Sequence, residues 1–167
     1  MLAAIAMCLA FPRMAETQTS RKSDLFGGYA YLRDQNEEIT LAAGWAAGAS
    51  RHLTRWFSIA VDAGGHYKTL ALVGGDAQLS THTVMAGGRA SVALGRFVEF
   101  AQVLVGPAFT RGSAFGLASR ETLFAVQAGF GLDTPLKPNL AARLEFDVRR
   151  LRTGRELRAV AGLVFVR

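Results

Sequence analysis

The chain has 167 residues, half of them hydrophobic and 19% charged, with 18 glycines, 4 prolines and a net charge of +6. That is the size of one domain, too apolar for a disordered chain and too poor in proline for low-complexity material. The one cysteine, Cys8, excludes an intramolecular disulfide and a cysteine-based zinc site. The longest apolar run, residues 1–11, falls short of the ~18 residues that mark a membrane-spanning helix. A helical membrane protein is therefore excluded, and a globular domain or a β-barrel remains.

Residues 1–11 read as the apolar core of an export signal, followed by Pro12 and polar residues. The expectation is a signal peptide over residues 1–15, a short N-terminal segment over 16–23 and a single domain over 24–167.

From Asp24 onward the pattern has period two. In chain order it predicts strands over residues 26–33, 39–50, 56–65, 81–94, 97–110, 123–133, 140–151 and 156–166. In the fourth, Val84, Ala86, Ala90 and Val92 alternate with Thr83, Met85, Arg89 and Ser91. Pro107 lacks an N–H, so the fifth is expected to loosen or end there. In the sixth, Phe124, Val126, Ala128, Phe130 and Leu132 share a face. The seventh sets Arg143, Glu145, Asp147 and Arg149 against Ala142, Leu144, Phe146 and Val148. Connections at 51–55, 95–96 and 134–139 read as tight turns. Those at 67–80 and 112–121 read as long loops.

Eight alternating strands fit either a soluble barrel with its apolar face inward or a membrane barrel with that face outward. Three features favour the second. Charges of both signs sit mid-strand among glycines and alanines, which suits the narrow lumen of an eight-stranded barrel. Aromatic residues form two bands, Phe57, Phe97, Phe130 and Phe165 toward the turns and Tyr29, Tyr31 and Tyr67 toward the loops. The runs also have about the ~9–11 residues that a tilted strand needs to cross a bilayer.

The residues that carry a family resemblance are the octapeptide 26–33 (FGGYAYLR), Gly44-Trp45, residues 56–67, 81–89 and 129–133, and the closing Gly162-Leu-Val-Phe165. With these the chain resembles the small outer-membrane β-barrel proteins, the outer-membrane-protein-A-like transmembrane domain and its porin-like relatives, over residues 24–167. The resemblance implies an all-β, eight-stranded, antiparallel up-and-down transmembrane barrel in a bacterial outer membrane of Gram-negative type. It further implies outer-membrane lipid and lipopolysaccharide as surroundings and the assembly machinery as a transient partner. Family members end on a glycine, two variable residues, an aromatic, one residue and a final aromatic. Gly162 and Phe165 fit that pattern, and Arg167 departs from it.

Site expectations follow. Asp62, Arg89, Glu145, Asp147, Arg149 and Arg158, with Arg143 and Glu156, are expected to form an interior charge network that plugs the lumen. Tyr29, Tyr31, Phe57, Phe97, Phe130 and Phe165 are expected in the aromatic girdle. Arg111, Arg120, Arg150, Arg152 and Arg155 are expected at the loop end, where arginine forks suit lipopolysaccharide phosphates. His52, His66 and His82 lack metal-ligand spacing and read as solvated rim residues. Thr81-His82-Thr83 lacks the serine that a lipid-deacylating site would need. No catalytic residue, metal, cofactor or nucleic-acid partner is expected, and the chain is expected to be a monomer. The role expected is structural or loop-mediated. The alternatives are a narrow channel for ions or small solutes and a soluble, lipocalin-like ligand carrier.

Overall fold

The computed structural model describes residues 22–35, 40–72, 75–114 and 117–167. The expected signal peptide and the greater part of the N-terminal segment lie outside the described residues. The described elements are all strands: β1 Ser23–Asp34, β2 Thr40–Leu41, β3 Ala43–His52, β4 Phe57–Leu72, β5 Gly75–Leu94, β6 Phe97–Ala114, β7 Leu117–Lys137, β8 Leu140–Leu151 and β9 Arg155–Val166. Their pairings are antiparallel, and β1 closes the sheet against β9 from Asp24–Val166 to Asp34–Glu156. β2 and β3 both pair with β1, and the register moves by one residue between Tyr29–Trp45 and Leu32–Leu41. They are one stave interrupted by a bulge at Ala42, whose carbonyl accepts a hydrogen bond from the Tyr29 hydroxyl. Nine segments thus make eight staves, and the fold is the closed eight-stranded, antiparallel barrel that the alternation predicts.

The barrel is inside out relative to a soluble one. Along β8, Ala141, Arg143, Glu145, Asp147 and Arg149 are buried, whereas Leu144, Phe146, Val148 and Arg150 are exposed. In β9 Glu156, Arg158, Val160 and Val164 face in, and Leu157, Ala161, Leu163 and Phe165 face out. Period-two geometry leaves one lumen face and one outer face, and the outer one carries the large apolar side chains: Ile59, Val61, Val84, Val103, Phe124, Phe130 and Leu144 are all exposed. Water would disfavour such a continuous belt, and lipid favours it. Two small apolar clusters line the lumen, one around Phe26, Ala30 and Val164, the other around Met85 and Leu104.

Several local expectations are revised. The described residues of the stretches 67–80 and 112–121 are strand, not long loop. β4 and β5 stay paired from Tyr67–Ser80 to Leu72–Gly75, and β6 and β7 from Arg111–Arg120 to Ala114–Leu117. The strands run on as extensions beyond the neighbouring staves, since β3 stops against β4 at Ala43–Tyr67 and β8 stops against β7 at Leu151–Ala125. In β7, residues 117–122 are exposed on both faces, so no apolar–polar alternation is imposed there and the sequence carries no strand signature. β7 likewise continues through the expected turn at 134–139 as far as Lys137, with a register shift between Pro135 and Lys137. At Pro107 the strand loosens and then continues: β5–β6 pairs pass from Thr83–Ala108 to Ala86–Val105 with the register kept.

Candidate functional site

The lumen is crossed by a network centred on Arg158, which is fully buried. Its Nη1 and Nη2 donate to the Asp62 carboxylate at 2.8 and 3.1 Å, its Nε to Asp147 Oδ2 at 2.8 Å, and Nη2 also to Glu145 Oε1 at 3.0 Å. One guanidinium therefore gathers carboxylates from β4 and β8 while standing on β9. A charge so deeply buried is tolerable only with its donors satisfied, and the fork geometry of arginine allows this.

Gln102 on β6 couples this centre to Arg89 on β5. Its Nε2 donates to Glu145 Oε1 at 3.0 Å and Asp147 Oδ1 at 3.4 Å, and its Oε1 accepts from Arg89 Nε and Nη2 at 3.0 and 2.7 Å. Toward the extended ends of the barrel, Arg149 donates to Gln127 Oε1 at 3.2 and 3.0 Å and to Glu156 Oε2 at 3.1 Å. Toward the turn end, Arg143 forms a two-pronged pair with Asp133 at 2.7 and 2.8 Å. All six residues expected in the charge network are buried. Asp62, Arg89, Glu145, Asp147 and Arg158 stand in one connected group through Gln102, and Arg149 stands apart with Gln127 and Glu156.

Sequence reading passed over two parts of this arrangement. Gln102, Gln127 and Asp133 supply bonds that a count of mid-strand charges does not see. Phe26 and Phe100 face the lumen, where the guanidiniums of Arg89 and Arg143 both lie against the Phe100 ring, at 4.3 and 4.5 Å from its centroid. These are two cation–π contacts to one ring. Glycines at lumen positions make room for these groups: a Cβ on Gly131 would run into the Phe100 ring, and one on Gly129 into the Asp147 carboxylate. The histidine reading is corrected at His66, which is fully buried in the lumen and whose two ring nitrogens meet no hydrogen-bond partner among the described residues. His52 lies 3.1 Å from Asp24 at the turn end, and His82 packs edge-on against Tyr67 at 5.4 Å between ring centroids.

Of the girdle residues, Phe57 and Phe97 begin β4 and β6, and Phe165 is the next to last residue of β9. Tyr29, Tyr31 and Tyr67 are exposed. Phe130 is not at a strand end, because β7 runs on to Lys137; it stacks on Phe146 at 5.8 Å between centroids. The five loop-end arginines are all exposed. Four of them form two cross-strand pairs, Arg111 with Arg120 on the β6–β7 extension and Arg150 with Arg155 on the β8–β9 hairpin, while Arg152 lies in the connection after β8. Among the described residues, no group of three or more histidine, cysteine or acidic side chains is placed to hold a metal.

No family model matches the chain and no curated protein matches it in sequence. Solved structures match it in shape. Ail, the attachment invasion locus protein of Yersinia pestis in complex with the heparin analogue sucrose octasulfate, aligns at a TM-score of 0.69 and 15% identity, over 88% of this chain and 99% of that one. Neisserial surface protein A aligns at 0.64 and 12% identity, over 86% and 94%. The N-terminal β-barrel domain of Pseudomonas aeruginosa OprF aligns at 0.64 and 13% identity, over 88% and 98%. At such low identity the likeness is one of fold, and the fold is that of the small, eight-stranded outer-membrane β-barrels.

Proposed function

We propose that the chain is an integral, non-catalytic barrel of a bacterial outer membrane whose role is carried by its extended hairpins. The observation that supports this most directly is the division of the molecule. A lumen filled by paired charges leaves little for transport, whereas β4–β5 and β6–β7 reach beyond the neighbouring staves, and the β6–β7 extension holds the exposed Arg111 and Arg120. The filled lumen also argues against the narrow channel, and the outward apolar belt against the lipocalin-like carrier. Arg111 and Arg120 face each other across one extension, and Arg150 and Arg155 across the next hairpin, so each pair offers two forks to one anionic group. That the Ail neighbour was crystallised with sucrose octasulfate agrees with an anionic, carbohydrate-borne partner. Lipopolysaccharide phosphate is the partner that fits best. Removing both forks of a pair, in Arg111→Ala with Arg120→Ala, should weaken lipopolysaccharide binding by the refolded barrel about tenfold, with a shallower salt dependence. Unchanged affinity in that variant and in Arg150→Ala with Arg155→Ala would remove these arginines from the reading.

A further inference from the structure

The opposite end of the barrel, where the short turns lie and Lys22 meets Arg167, holds a cavity of about 960 Å³ that the loop-end reading does not use. Its mouth is framed by the connections after β3, β5 and β7, and its floor by Arg89, Phe100, Asp133 and Arg143. Above that floor stand the buried ion pairs of the lumen, so the cavity is a vestibule that ends at the plug.

The charge in this vestibule is one-sided. Lys22, Arg55, Arg89, Arg96 and Arg143 line it, against two side-chain carboxylates, Asp24 and Asp133. Both carboxylates are already engaged: Asp133 by Arg143 at 2.7 and 2.8 Å, and Asp24 by Ser50 Oγ at 3.0 Å and His52 Nε2 at 3.1 Å. Arg89 is held by the neutral Gln102 amide and lies 4.0 Å from Glu145, while Arg96 rests over the Phe97 ring at 5.0 Å. The Phe100 ring packs against both Arg89 and Arg143, and Gln102 and Asp133 bond them, so the floor cations are held in place before any ligand arrives. A recess lined by one sign of charge and walled by protein focuses its field on whatever enters. Its volume is that of a small-molecule site.

We propose that this turn-end vestibule is a binding site for a small polyvalent oxyanion of the phosphate class, either free in solution or carried on a lipid headgroup. The proposal is separate from the loop-end reading and needs only the folded barrel.

The test is calorimetric titration of pyrophosphate into the barrel refolded in zwitterionic detergent, after a gel-mobility shift has established that the barrel has formed. Failure to bind and failure to fold are then distinct results. One-to-one binding is expected. Lys22→Glu with Arg96→Glu, both at exposed positions, should weaken it by about tenfold or more. Arg33→Glu with Lys68→Glu, two reversals at the far end, should leave it unchanged. Doping the micelles with phosphatidylglycerol separates the sources: loss of pyrophosphate binding assigns the site to a lipid headgroup, and retention assigns it to a soluble anion. Absence of saturable binding, or equal weakening by both double variants, would overturn the proposal.

Discussion

Arg158 and Asp62 are 96 residues apart in the chain and meet in the lumen through two hydrogen bonds of 2.8 and 3.1 Å. The contact joins β9 to β4 across the lumen, and Asp147 and Glu145 on β8 complete the shell around the same guanidinium. Removing the cation strands three carboxylates in a closed interior. Removing one carboxylate leaves the cation two others.

The stabilities of three variants should therefore be ordered. Arg158→Leu is expected to cost about 3–5 kcal/mol, the range for a buried pair broken on one side. Asp62→Asn keeps an acceptor and should cost about 1–3 kcal/mol. Glu145→Leu should cost least, about 1–2 kcal/mol, because it removes one acceptor each from Arg158 and Gln102. Urea unfolding in detergent micelles measures all three. A Glu145→Leu barrel as stable as the parent would remove Glu145 from the network, and one less stable than Arg158→Leu would contradict the central place given to the arginine.

Gly131 tests how tightly the turn-end half of the lumen is packed. Its missing Cβ is the space that the Phe100 ring fills, and the Leu144 carbonyl lies behind it. Gly131→Val should destabilise the barrel by about 1–3 kcal/mol, as overpacking does. Combining it with Phe100→Ala should show a coupling of at least about 0.5 kcal/mol, since the ring is one of the two obstructions. Additive effects would mean that the two positions do not share this space.

The outer face makes the converse prediction. Leu144 stands mid-strand in β8 and is 55% exposed in the isolated chain. If lipid covers it, Leu144→Arg should cost about 2–4 kcal/mol in liposomes, the range for a cation near the bilayer midplane. The same change at an ordinary water-facing position would cost almost nothing. A neutral result in liposomes would place Leu144 in water.

How much was legible in the sequence depended on which solvent each face meets. Where one face touches lipid and the other the lumen, alternation is enforced, and β8 and β9 can be read residue by residue from Arg143, Leu144, Glu145 and Phe146 onward. Beyond the staves that stop at Ala43 and Leu151, the hairpins no longer separate lipid from lumen, so Lys68 to Leu70 and residues 117–122 show no alternation although they are strands. The charges of the lumen were visible by parity. Their uncharged mediators were not, since neither Gln102 nor Phe100 differs in sequence from a residue on an outer face until the facing of β6 is known. His66 shows the same limit: its position near the end of the alternating run predicts a rim residue, whereas extension of β4 to Leu72 encloses it.

The central claim is that the charged face is inside and the apolar face is in lipid. Electrophoresis of the chain refolded in detergent, with and without boiling, tests it most directly. A closed barrel that holds its fold in detergent should migrate differently before and after boiling, and the Arg158→Leu variant should lose that difference at a lower temperature. Identical mobility, together with a folded chain recovered in plain buffer, would contradict the account and return the apolar face to the interior.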